Sequence, residues 1–152
     1  MTIPEGCCEI TSVSKIKVEE HGRKAIFSND KGLRCRKIKV DGCVINDSKQ
    51  KSADWIVSRD DVGDIIVELK GKDVDHAVKQ VIATAKYWKE NGYQTGKMAA
   101  LVVSSQFPKV TTAVRKAQQD FAKHFNGPLH VVTQNYAGCM KAVSSFKGPH
   151  TS

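Results

Sequence analysis

The chain has 152 residues, 40 % hydrophobic and 26 % charged, a mixture too apolar for a disordered chain and of a length that suits one core. Lys and Arg number 24 against 16 Asp and Glu, a net charge of +8, and no apolar run approaches the roughly 18 residues that a bilayer span needs. A disordered chain, a membrane span and a pair of full-sized domains are therefore not expected.

From the N-terminus the sequence reads as β. EITSVSKIKVEE places apolar residues at Ile10, Val13, Ile16 and Val18, His21-Gly22 offers a turn, and RKAIFSN supplies a second strand. The turn Asn29-Asp30-Lys31-Gly32 leads into LRCRKIKV. Asp41-Gly42 is a two-residue hairpin signal, because both residues tolerate positive φ, and it predicts Cys43-Val44-Ile45 as the returning strand. NDSKQKS (46–52) is a polar loop. Two further strands follow, ADWIVS (53–58) and IIVELK (65–70), joined by the turn RDDVGD.

Asp73 or Asp75 then caps a helix over about residues 74–91, with Ala77, Val81, Ala85 and Trp88 at helical spacing and Asn91-Gly92 as its stop. MAALVVSS (98–105), the most apolar segment, is expected at the centre of a sheet. Thr111 or Thr112 caps a second helix, whose stripe is Ala113 or Val114, Ala117, Phe121 and Phe125, and Gly127-Pro128 ends it. LHVVTQ (129–134) is a further strand. The prediction is one α/β domain, a mixed sheet with helices packed on it. It has a β-rich front (1–52), a ββαβαβ core (53–134) and a polar tail (135–152).

The opening MTIPEGCCEI lacks the basic-then-apolar layout of a secretion signal, so a cytoplasmic location with no membrane contact is expected. Cys7, Cys8, Cys35, Cys43 and Cys139 are odd in number and lack the close pairs of a zinc site, so free thiols are expected. The charge is lopsided. Residues 77–152 hold 10 basic side chains and only Glu90 and Asp120 as acids, whereas residues 1–76 balance to zero. A surface of that kind attracts phosphates, although solubility alone is the simpler reading.

The chemistry concentrates in residues 53–88. Asp54 opens one apolar strand, and fourteen residues later Glu68 and Lys70 interrupt the next, on one face by strand periodicity, with Leu69 turned to the other. A hairpin around RDDVGD would bring Asp54 and Glu68 to the same end of the sheet. Carboxylates in an apolar strand are costly unless paired or bound to a cation. Two carboxylates and a main-chain carbonyl such as that of Leu69 form a hard oxygen set suited to Mg2+ or Mn2+. Asp60, Asp61 and Asp64 are read as solvent-facing turn formers, with competition for the cation as the alternative. Trp55 and Trp88 are read as core.

Asp54, then Glu68-Leu69-Lys70, then a helix bearing Gln80 and Tyr87, resembles the PD-(D/E)XK nuclease superfamily over residues 53 to 104. Its members include type II restriction enzymes and archaeal Holliday-junction resolvases, whose motif spacing is the nearest. The resemblance implies a restriction-endonuclease-like mixed sheet flanked by helices. It implies Asp54 and Glu68 as ligands of Mg2+ or Mn2+, Lys70 as the catalytic lysine, and Gln80 as an added glutamine of some branches. His76 would approach the same pocket or the phosphate, the alternative being a capping or exposed side chain.

The expected function is hydrolysis of phosphodiester bonds, in DNA rather than RNA, in defence or in repair and recombination. Lys79, Lys86, Lys89, Lys109, Arg115, Lys116 and Lys123 would track the backbone, and a homodimer would supply the two sites that a duplex cut requires. The alternative is a non-catalytic module on the same fold that binds nucleic acid or protein, for example an immunity or regulatory subunit.

Overall fold

The computed structural model describes residues 2–70, 73–105 and 111–149, with the main chain alone at Lys70. Among these residues the chain is mixed α/β, with nine strands and three helices in two mixed sheets. The larger sheet takes β1 (Cys8–Thr11), β4 (Cys35–Lys39), β5 (Trp55–Arg59), β6 (Gly63–Lys70), β7 (Met98–Ser104) and β8 (Leu129–Thr133), side by side in that order. Pairing is antiparallel from β1 through β6 and parallel from β6 to β8. The parallel joints are made by crossovers through α1 (Val74–Glu90) and α2 (Thr112–Phe125). β7 is buried along its whole length between two neighbours, as its apolar sequence predicts.

Alternation sorts the buried side chains into two cores. Ile38, Ile56, Ile66, Ala100 and Val102 face the helices, meeting Ala77, Val81, Ala85 and Trp88 of α1 and Val114, Ala117 and Phe121 of α2. Val57, Ile65, Val67, Leu69, Leu101 and Val103 face the smaller sheet. That sheet contains β2 (Lys15–Glu20), β3 (Arg23–Ser28) and β9 (Asn135–Cys139), and it contributes Ile16, Val18, Ala25, Phe27 and Tyr136. The molecule is therefore three layers deep, helices over sheet over sheet.

Three expectations change. The β-rich front does not stay together: β2 and β3 pair through the turn at His21 (φ 52°) and Gly22 (φ 75°) and leave the main sheet. Cys43-Val44-Ile45 is not a strand but a tight turn, in which the Ile45 N–H donates to the Val40 carbonyl at 2.9 Å. Its apolar residues are buried against the helix-side core, which takes them out of strand pairing. The same turn carries Cys43 to Cys7, with which it forms a disulfide across 5.7 Å between Cα atoms. Not all thiols are free, therefore; Cys8, Cys35 and Cys139 are.

The region read as a tail contributes β9, parallel to β3, and the short helix α3 (Met140–Val143). Tyr136 is buried there, and its hydroxyl donates to the Pro149 carbonyl at 2.6 Å. Among the described residues no helix is long and apolar enough to cross a membrane.

Candidate active site

The antiparallel register pairs Trp55 with Val67, so the residues just outside that pair, Asp54 and Glu68, stand opposite each other. The hairpin is the device that brings them together. Its two carboxylates are cross-bonded to the main chain. The Asp54 N–H donates to Glu68 Oε1 at 3.1 Å, and the Leu69 N–H donates to Asp54 Oδ2 at 2.9 Å. Because β5 begins only at Trp55, Leu69 has a side chain where a strand partner would be. A strand residue's N–H and C=O share one edge, so the Leu69 carbonyl lies on the Asp54 side.

Glu68 is 2 % exposed, whereas Asp54 is half-buried at the rim. Burial pushes the Asp54 carboxyl above its ordinary range, and the Leu69 amide, the hydrogen bond with Glu68 and the charge of Lys39 pull it back. Glu20 pushes it up again. Lys39 itself is ion-paired to Glu20 and lies 4.8 Å from the ring centroid of Trp55, with Lys37 at 5.1 Å. Trp55 is thus half-buried under two ammonium groups, whereas Trp88 is wholly core.

Behind Asp54, α1 fixes the incoming chain. Thr84 Oγ1 accepts from the Ala53 N–H at 2.7 Å and donates to the Gln80 carbonyl at 2.8 Å. Gln80 Nε2 donates to the Ser52 carbonyl at 3.2 Å, and the Ser52 hydroxyl donates to Asp41 at 2.7 Å. Gln80 therefore positions the segment that carries Asp54. His76, one turn earlier and half-buried, joins Gln80 and the 41–52 loop around a cavity of about 330 Å³. Its main-chain N–H donates to the cap Asp73 at 2.9 Å. Thr84 has a sequence signal, since it falls on the buried stripe between Val81 and Ala85. Lys39 has none, because only the register sets it beside Trp55.

The turn aspartates separate. Asp60 and Asp61 are exposed, and Asp61 pairs with Arg59, which holds its carboxyl below the ordinary range. Asp64 is not a solvent-facing turn residue. It is 1 % exposed at the far end of β6, where it accepts from Thr95 Oγ1 at 2.7 Å, the Thr95 N–H at 3.0 Å and Trp88 Nε1 at 3.2 Å, and pairs with Arg36 at 3.5 Å. Four positions along β6 separate it from Glu68, about 13 Å at the strand rise, and its oxygens are taken by Thr95, Trp88 and Arg36, so it does not compete as a ligand.

Of the basic residues, Lys79, Lys86, Lys89, Arg115, Lys116 and Lys123 are exposed along α1 and α2. Lys89 is engaged, with Nζ donating to the His124 carbonyl at 3.3 Å and standing 6.0 Å from the Phe125 ring centroid. Lys86 and Lys89 share a cavity of about 650 Å³ with Glu90 and Asp120, the two acids of the second half. The side chain of Lys70 and all of Lys109 lie outside the described residues; the Lys70 main chain continues β6 past Glu68.

Among the described residues no group of three or more His, Cys, Asp or Glu side chains converges as a metal cage. Mg2+, however, keeps several of its waters and is held by one or two carboxylates. The pair at hand, Asp54 and Glu68, fits that smaller demand. No protein-family model, curated protein or solved structure matches this chain.

Proposed function

We propose that the protein is a divalent-metal-dependent nuclease with a restriction-endonuclease-like core. The observation that carries this reading is the facing of Asp54 and Glu68 across the end of the β5–β6 hairpin, where an apolar sheet ends in two carboxylates. An antiparallel hairpin followed by a helix and a parallel strand supports it. In this reading Asp54, Glu68 and the Leu69 carbonyl hold Mg2+ or Mn2+, which when bound supplies an acidified water and stabilises charge on the phosphate. Gln80 and Thr84 keep Asp54 in position. Lys70 orients the attacking water, and Lys79, Lys86, Lys116 and Lys123 with Arg115 take the phosphate backbone of DNA. Two copies are required to cut both strands of a duplex.

The test is incubation of the purified chain with supercoiled, linear and branched DNA and with RNA, in Mg2+, Mn2+ or EDTA. Cleavage is expected with either cation and not in EDTA. Glu68→Gln should lower it roughly 10²–10³-fold, the several kcal/mol that a metal-held charge contributes. A second reading, a non-catalytic nucleic-acid-binding module, is favoured by the use of both carboxylates as main-chain acceptors. Salt-sensitive binding without cleavage in any cation would establish that module and overturn the nuclease.

A further inference from the structure

We propose that Cys7 and Cys43 form a thiol–disulfide exchange site, open to a dithiol reductant, whose state sets the order of the 41–52 loop beside Asp54. The disulfide joins residues 36 positions apart, tying the segment before β1 to the turn after β4. Beyond that turn the loop has little else to hold it. Its main-chain bonds are local, such as Gln50 N–H to the Asp47 carbonyl at 3.0 Å, until Ser52 meets Asp41 and Gln80. Loop residues form most of the wall of the 330 Å³ cavity, and two residues after Ser52 the chain reaches Asp54. The covalent tie therefore acts on the loop that leads into Asp54.

The surrounding thiols argue that the bond is exchangeable. A cysteine left over beside a disulfide is a thiol free to react or to pair elsewhere. Here three of five are free, and Cys8, next in sequence to Cys7, packs against the same apolar cluster as Cys43. Cys43 is partly exposed, whereas Cys7 is buried, so an external thiolate has Cys43 to attack. Its attack forms a mixed disulfide with Cys43 and releases the Cys7 thiolate. The reductant's second thiol then displaces Cys43, so that two electrons pass to the protein and the dithiol leaves as its own disulfide.

Effects on the loop stand independently of any catalysis, whereas an effect on DNA cleavage rests on the nuclease reading. The experiment uses the full chain before and after dithiothreitol. Without reductant, denatured protein should expose three titratable thiols, and with it five. Hydrogen exchange at residues 41–52 should speed up about tenfold on reduction, with β6 and β7 unchanged, as for release of one local unit. The Cys7→Ser/Cys43→Ser variant should show the fast pattern with and without reductant. Should that variant fail to fold, the comparison on the wild-type chain decides alone. Five thiols before reduction, or a loop indifferent to reduction, would overturn the proposal whatever the cleavage assay shows. A loop that responds in a chain without metal-dependent cleavage would sustain the exchange site and remove the nuclease reading.

Discussion

Asp54 is subject to two opposed demands. Burial raises its pKa, so the folded chain retains a proton there that the unfolded chain gives up near pH 4. Stability contributed by that group is therefore present below the ordinary Asp value, falls as pH rises through the raised one, and is not regained at neutral pH. Asp54→Asn removes the penalty and still offers Leu69 an acceptor. Calorimetry should show this variant melting above wild type at pH 7 and level with it near pH 3, while cleavage is lost. A lower melting temperature at pH 7 would mean that its partners outweigh burial. Where Asp54 still holds its proton, cation binding should displace it, read as a dependence of the heat of binding on buffer ionisation enthalpy.

Asp64 makes the contrasting case, a buried carboxylate with every partner supplied. Asp64→Ala leaves Trp88 Nε1 and the Thr95 N–H without their acceptor, takes the paired carboxylate from Arg36, and should cost about 3–5 kcal/mol in urea unfolding. The sequence shows Asp64 as one of three aspartates around a glycine, which reads as a turn. Nothing local reveals that Thr95, 31 residues on, folds back over it.

At the scale of the element, the hairpin was legible because both of its strands and the turn between them are short and their apolar residues unambiguous. Its register follows from the turn, and the register alone opposes Asp54 to Glu68. The joint to the next strand depends on Gly63, at φ +106°, where a Cβ would stand 2.2 Å from the Lys97 carbonyl oxygen. Gly63→Ala should therefore shift backbone at the β6–β7 edge and lower the melting temperature well beyond an ordinary surface change. At the other end of the element, Thr84→Val strips the Ala53 N–H of its acceptor. A loss of about 1–3 kcal/mol in stability is expected, with a weaker apparent affinity for Mg2+ in the cleavage assay. What the sequence concealed were elements without periodicity. NYAGC, with a glycine and a single large apolar residue, gives no strand signal and becomes β9 only because β3 presents an edge to it.

Across the whole molecule, the charge asymmetry is visible in the sequence, but which lysines are available is not. Affinity for DNA should fall linearly with the logarithm of salt, with a slope of about −0.9 per phosphate neutralised. Lys79→Gln is expected to reduce that slope by about one unit. Lys89→Gln should leave it nearly unaltered, since its ammonium is engaged by the His124 carbonyl and Phe125. Equal effects from the two would show that Lys89 leaves α2 to meet the phosphate. The layering was similarly half legible. The ββαβαβ series follows from local patterns, whereas the departure of β2 and β3 into a second sheet depends on a partner more than a hundred residues away, as in the 3.0 Å bond from Lys24 N–H to Asn135.

That distant partner has a consequence for how the chain comes into being on the ribosome. The β5–β6 hairpin can close as soon as residue 70 has emerged, but the β2–β3 ribbon must wait, its outer edge bare, until residues 135–139 are synthesised. Through that interval an exposed edge is open to strands of neighbouring nascent chains. A product halted before Asn135 should accumulate in the insoluble fraction, and a separately supplied peptide spanning 134–149 should bring part of it back into solution.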